Sequence, residues 1–350
     1  MSRIIRFHQF GAADVLRMEQ YVVPRPGPGE VSLDVEAIAV SWYDVLWRQN
    51  LALSQVQLPA GLGHELAGVV RALGEGVDDL AVGDRVASFP AHSPNQYPGY
   101  AERVLLPRAS LVRYPGSLDA LQACGHYTPL LIGWFGYVDL AAAQPGESVL
   151  VTAAGLCAGP YIVQLGKALG LRVIAAVADE DEGEYARELG ADAVVNTEAQ
   201  DLVRQVLRLT DGRGVDIVLD ALGGPQMSLL GDALAPRGRL VLYGLQGGNQ
   251  TPFPACAAFQ KNIRFFVHCL GNFTGKQELQ IPQDRAAVAR ALEAINGFTA
   301  AGKLRPQIGR VFPFEAFVEA HRHAERCTQR RRLVLALGGQ STDELETPSP

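Results

Sequence analysis

The 350-residue chain is poor in cysteine: Cys124, Cys157, Cys256, Cys269 and Cys327 are odd in number, widely spaced and contain no C-x-x-C pair. That excludes both a disulfide framework and a zinc knuckle. Basic charge is not in excess either. With 31 Lys and Arg against 37 Asp and Glu the formal net charge is −6, so no nucleic-acid partner is expected and a small-molecule substrate is. Long apolar runs are also missing. The amino-terminal "MSRIIRFHQFGAADV" has no signal-peptide core, and no stretch approaches the roughly 18 apolar residues that span a bilayer. A cytoplasmic protein with no membrane partner is therefore expected. What remains is 48% hydrophobic with 37 glycines and no internal repeat, a composition ordinary for an α/β protein. At about 150 residues per domain the length predicts two domains.

From Ile4 to about Ala120, short alternating strands ("EVSLDVEAIAV", "LAGVVRAL", "DRVASF", "YAERVLL") are broken by clusters such as "PRPGPGE". This predicts a β-rich domain with few helices. Near Leu121 the pattern changes, and "SVLVTAA", "LRVIAAVA", "VDIVLDAL" and "RLVLYG" alternate with helical stretches such as "GEYARELG" and "LVRQVLRLT". Apolar strands alternating with helices predict a parallel, doubly wound sheet, and the fold class is α/β. Beyond Leu270 the chain is mixed again, with helices in "AAVARALEAINGFTAAG" and "FEAFVEAHRHAE" and strands in "IGRVFP" and "RRLVLAL". The polar "GGQSTDELETPSP", residues 338–350, reads as a disordered tail.

The strand "ESVLVTAA", the turn "GLCAG" and a helix from Pro160 form a unit that can place a pyrophosphate at a helix N-terminus. The three sites of a G-x-G-x-x-G pattern fall at Ala154, Leu156 and Gly159, with a further glycine at Gly155. Only the last is the expected glycine. Small residues in such a turn also serve plain helix packing, but a second β-α-β, "LRVIAAVADEDEGEYARELGADAVVN", follows at the right interval. The segment Ala154, Gly155, Leu156, Cys157, Ala158, Gly159 is the candidate dinucleotide turn.

The run "GHELAGVVRALGEGVDDLAVGDRV" (63–86), followed by "QPGESVLVTAA", "GRGVDIVLDALGG" and "GRLVLYG", resembles the medium-chain dehydrogenase/reductase superfamily, in its zinc-independent quinone-oxidoreductase-like branch. The resemblance covers about residues 3–337. It implies a GroES-like catalytic domain (1–122 and 271–337) interrupted by a Rossmann domain (123–270), with NADH or NADPH in the cleft between them, and usually a homodimer. The dimer would form through the apolar run 261–270. Relatives that bind a catalytic zinc use two cysteines and a histidine, and here those positions hold Ser41, His64 and Thr128. Two thiolates are missing, so no metal is expected; recruiting Cys124 would need a register slip, and "PAHSPNQYPGYAER" lacks the structural-zinc cysteines. His64 and Glu65 then read as a turn and a charge pair, with a substrate-pocket role left open.

The resemblance also implies a reductase of a quinone, an enone or another activated alkene. Hydride transfer asks mainly for proximity and orientation, whereas reducing a C=C bond also needs a proton source. Where several relatives carry a tyrosine this chain has Leu46, and Tyr43 is the candidate donor, although its aromatic segment can equally be packing. Ser41, Tyr43, His64 and Trp134 are the candidate catalytic set. Leu222, Tyr243, Gly244 and Leu245 join the cofactor set, and the Leu156 amide is expected to stay available to phosphate while its side chain turns away. Val177 stands where NAD-dependent relatives place a ribose-binding acid. Asp179, Glu180, Asp181 and Glu182 follow, read either as a solvated helix start or as groups repelling a 2′-phosphate, with Asp179 as ribose acceptor. NADH is expected to bind at least as well as NADPH. Two alternatives stay open: a specialised enzyme with atypical chemistry on this fold, and a non-catalytic binding protein.

Overall fold

The computed structural model describes residues 1–326 and 330–338; the expected tail, apart from Gly338, and Cys327 lie outside the described residues. In chain order the first elements are β1 (Ser2–Arg6), β2 (Arg17–Tyr21), β3 (Glu30–Val40), α1 (Trp42–Arg48), β4 (Leu66–Leu73), β5 (Arg85–Ser88), β6 (Arg103–Pro107), β7 (Leu111–Arg113), α2 (Ala120–Ala123) and α3 (Tyr127–Trp134). There follow β8 (Ser148–Val151), α4 (Gly159–Ala168), β9 (Arg172–Val177), α5 (Glu180–Glu188), β10 (Ala193–Asn196), α6 (Leu202–Leu209), β11 (Val215–Asp220), α7 (Met227–Ala233), β12 (Leu234–Leu242), α8 (Ala255–Lys261) and β13 (Arg264–Val267). The last are α9 (Gly271–Thr274), α10 (Arg285–Ala300), β14 (Ile308–Pro313), α11 (Phe317–Ala324) and β15 (Arg332–Ala336).

Among the described residues two compact units result: residues 1–128 and 271–292 with those described from 306 to 338 form one, and residues 129–270 with 293–305 the other. The first boundary thus falls at 128/129 rather than 122/123. Residues 293–305 group with the sheet unit, where the Gln164 side chain in α4 holds the backbone N–H of Arg305 at 2.9 Å and its carbonyl at 3.1 Å.

The β-rich unit is a sheet of order β14-β15-β3-β4-β5-β7, with β6 also on β3 and the pair β1-β2 apart. All its pairings are antiparallel except β14 with β15. Its core includes Ile4, Phe7, Leu33, Ile38, Trp47, Leu66, Val70 and Phe314. β6 alternates half-buried and buried residues, as a strand with one face on the core does.

The other unit is a parallel sheet of order β10-β9-β8-β11-β12-β13, the doubly wound arrangement with its order reversing at β8. All four residues of β8 and all six of β11 are buried, which is why those strands read as predominantly apolar runs. β12 begins five residues before the predicted "RLVLYG". It passes Arg237 at a left-handed φ of 62° and breaks register opposite Val215 and Ile217, an irregularity that alternation does not announce.

Candidate functional site

In a doubly wound sheet, ligands bind beyond the carboxyl ends of the strands at the point of reversal. Residues 152–159 form the turn leaving that end of β8. Ala153 and Cys157 adopt left-handed φ values of 47° and 52°, at roughly 1–2 kcal/mol each for an L-residue. The Ala154 N–H is held by the Ala176 carbonyl at 3.1 Å. Gly159 is dictated by space, since a Cβ there would stand 2.2 Å from the Ala153 carbonyl oxygen. The expectation that the Leu156 amide stays available is corrected: it donates to the Ala153 carbonyl at 3.1 Å, and the Gly159 amide donates to the Leu156 carbonyl at 2.8 Å. With Ala153 left-handed the turn closes on itself.

The four acids divide. Asp179, Glu180 and Asp181 are exposed, and Asp179 caps α5 by accepting the Glu182 N–H at 2.7 Å, as a solvated helix start would. Glu182 is instead 5% exposed. Its Oε2 accepts the Ala178 N–H at 3.2 Å, and its Cβ and Cγ lie 2.8 Å from where a Cβ on Gly155 would be. A carboxylate thus packs directly on the turn. Its place at the third position of α5, one turn after Asp179, is the signal that could have separated it from its neighbours.

Asp220 ends β11 and accepts the Thr152 hydroxyl at 2.6 Å and the amides of Gly223 and Leu222 at 2.9 and 3.2 Å. Burial raises its carboxyl above the ordinary range. Tyr243 follows β12, and its buried hydroxyl has no hydrogen-bond partner. Burial, then Asp220 and Cys157, hold the phenol well above its usual pKa, so it is a donor at neutral pH. Gly244 packs against the Ala221 carbonyl, and Leu245 is exposed. These groups fit a dinucleotide: a tight turn at a helix start and an unsatisfied donor at the same end of the sheet.

In the β-rich unit, Ser41 starts α1 through a capping box. Its hydroxyl accepts the Asp44 N–H at 3.3 Å, while Asp44 Oδ2 accepts the Ser41 N–H at 2.9 Å and hydroxyl at 2.8 Å. Asp44 also accepts the Tyr100 hydroxyl at 3.1 Å. Burial, opposed by the Ser41 hydrogen bonds, lifts its pKa to about 6. The ring of Tyr43, on α1, meets His64 edge-on at 5.1 Å and Trp47 at 6.1 Å. His64 in turn lies 5.3 Å from His92, which no sequence signal singles out. Burial lowers His64 to about 4 and His92 well below its usual value, so both rings are neutral at pH 7.

The structure therefore brings Tyr43 and His64 together and engages Ser41 in holding α1. The charge pair expected at Glu65 is made with Arg332 of β15. Thr128 has a buried hydroxyl without a partner, and Cys124 is buried with its thiol donating to the Leu121 carbonyl at 3.2 Å. Trp134 ends α3, half-buried. Among the described residues no three His, Cys, Asp or Glu side chains are grouped to hold one metal ion, and no helix is long and apolar enough to cross a membrane.

Residues 27–116 match the alcohol dehydrogenase GroES-like domain, and residues 157–289 the family described as zinc-binding dehydrogenase. The chain is 30% identical over 322 residues to a quinone oxidoreductase of Pseudomonas aeruginosa, covering 92% of this chain and 95% of that one. It is 28% identical over 321 residues to the 2-haloacrylate reductase of a Burkholderia species, covering 90% and 93%. A mycobacterial protein solved in complex with NADPH matches with a TM-score of 0.82 at 25% identity, covering 96% of this chain and all of that one.

Proposed function

The chain belongs to the medium-chain dehydrogenase/reductase superfamily, in its quinone-oxidoreductase-like branch, and from that premise we propose a cytoplasmic, NAD(P)H-dependent oxidoreductase that reduces a quinone, an enone or another activated alkene without zinc. The turn after β8, with Gly159 against the Ala153 carbonyl and the unsatisfied Tyr243 hydroxyl beside it, carries the reading. The relatives named for quinone and 2-haloacrylate reduction and the NADPH complex support it. A bound reduced nicotinamide supplies the hydride.

The chain's own residues have simpler tasks. The turn, with Leu222, Gly244 and Leu245, seats the dinucleotide, and Trp134 gives the site an aromatic wall. Tyr43 is the proton donor for an alkene substrate, and neutral His64 offers a hydrogen bond without charge. Mixing the protein with NADH or NADPH and a panel including a naphthoquinone and 2-cyclohexenone, and following loss of the reduced-nicotinamide absorbance, tests the reading. Turnover of at least one class is expected; none with any acceptor would contradict it. The closed turn at Leu156 and the carboxylate on Gly155 favour a second reading, a diverged enzyme or non-catalytic binder. Quenching of Trp134 fluorescence by the dinucleotide without turnover would single it out.

The donor set supports zinc independence. Ser41 is committed to a capping box and Thr128 offers a hydroxyl, where thiolates would be needed. Elemental analysis is expected to find no stoichiometric zinc, and chelators to leave turnover intact. About one zinc per chain, lost together with activity, would contradict this.

Assembly is proposed through residues 261–270. β13 is an edge strand, Val267 on it is 64% exposed, and nearby Phe253 and Phe259 are 52% and 91% exposed. An uncovered apolar edge is a liability unless paired. Light scattering at micromolar concentration should show a homodimer that Val267→Lys dissociates; a monomeric parent would refute the assignment.

A further inference from the structure

Tyr243 stands just beyond β12, at the end of the sheet where ligands of such folds bind. Its ring is half-buried, yet its hydroxyl is buried and makes no hydrogen bond. A buried donor without a partner is rare and calls for a reason. Its backbone N–H donates to the Asp220 carbonyl at 2.8 Å, and the Asp220 carboxylate accepts the hydroxyl of Thr152, which opens the turn after β8; Asp220, Cys157 and Tyr137 are the groups that act on the phenol. Asp220 has no need of it, because both its oxygens already accept from Thr152, Leu222 and Gly223. Cys157 belongs to the turn after β8, where the Leu156 and Gly159 amides are spent internally. A turn short of donors for an anion thus has one spare donor beside it.

We propose that the Tyr243 hydroxyl, on the β12 side of the turn, donates to an oxygen of the pyrophosphate's nicotinamide-side phosphate, the one that AMP lacks, replacing the amide that Leu156 withdraws. This rests on the dinucleotide reading above and names the group that makes a closed turn serviceable. Phenylalanine at 243 keeps the ring and removes only the donor.

Calorimetric titration of the parent and Tyr243→Phe with NADH, ADP and AMP tests it, together with the melting temperature of each protein alone. Loss of one hydrogen bond to a charged oxygen should weaken NADH and ADP at least tenfold. AMP, which lacks the pyrophosphate, should bind unchanged, and the free variant should melt no lower than the parent, having no partner to lose. Equal ADP affinity in the two proteins would overturn the proposal, even if NADH weakened, since the hydroxyl would then serve the nicotinamide half beyond the pyrophosphate. Equal losses for ADP and AMP with a lower melting temperature would also overturn it, showing a structural role. A parent protein that binds neither NADH nor ADP would remove the dinucleotide reading itself and this role with it, whereas a parent that binds both exactly as Tyr243→Phe does would remove only this role.

Discussion

Replacing Asp179 by Ser and Glu182 by Lys is expected to shift the dinucleotide preference toward NADPH by at least tenfold, from a parent that binds NADH at least as well. The 2′-phosphate carries up to two negative charges, and the ribose that bears it lies in such folds beside the strand leading into α5. Glu182, 5% exposed and packed on Gly155, presents a carboxylate that solvent screens little. Exposed Asp179, Glu180 and Asp181 add charge of the same sign. Like charges about 4 Å apart cost on the order of 4 kcal/mol at a surface-like dielectric, which distance and salt reduce to roughly 1–2 kcal/mol. Serine at 179 keeps the helix cap, so the helix start survives. Glu182→Gln, which removes charge but hardly shape, should give part of the shift. Parent protein binding NADPH more than tenfold tighter than NADH would contradict the assignment.

Breaking the pair between Glu65 and Arg332 is expected to lower folding stability by about 3–5 kcal/mol, the cost of leaving one buried charge unpaired. Their side chains are 5% and 14% exposed. Arg332 lies on β15, which pairs with β3, so the bridge ties the carboxyl-terminal strand to the loop before β4. Arg332→Leu should therefore lower the denaturant midpoint. The double variant Glu65→Gln with Arg332→Leu should recover part of the loss, because no lone charge remains. Glu65 also raises the pKa of Asp44. Removing its charge should lower the Asp44 pKa, readable by carboxyl-carbon NMR. A denaturant midpoint unchanged in both single variants would show that the pair does not hold the strand.

These features differ in how openly the sequence displays them. The parallel sheet is legible because strands covered on both faces, such as β8 and β11, are mostly apolar, with Ser148, Asp216 and Asp220 as their buried polar residues. Glu65 is recognisable as one half of a charge pair, but Arg332 lies 267 residues away and only the fold brings it close. Local periodicity carries no such information. The turn is legible as a turn, yet the fate of the Leu156 amide depends on whether Ala153 takes a left-handed φ, which neither residue type favours. Glu182 shares its composition with three solvated neighbours and differs only in facing inward on a helix. Tyr243 is legible in sequence only as a cofactor-set residue and His92 not at all; that the Tyr243 hydroxyl is left without a partner emerges only after packing.

The central claim is that this chain delivers a hydride from a bound nicotinamide to carbon or oxygen of an activated acceptor. The most direct measurement uses NADH stereospecifically deuterated at C4 with 2-cyclohexenone and a naphthoquinone, followed by mass spectrometry and NMR of the products and of the oxidised cofactor. The account predicts that one of the two C4 deuterium stereoisomers loses its label on turnover, to the β-carbon of the ketone if the enone is the substrate. Acceptor consumed with deuterium retained on C4 of the cofactor from both stereoisomers, or no reaction with either acceptor although NADH binds, would contradict it.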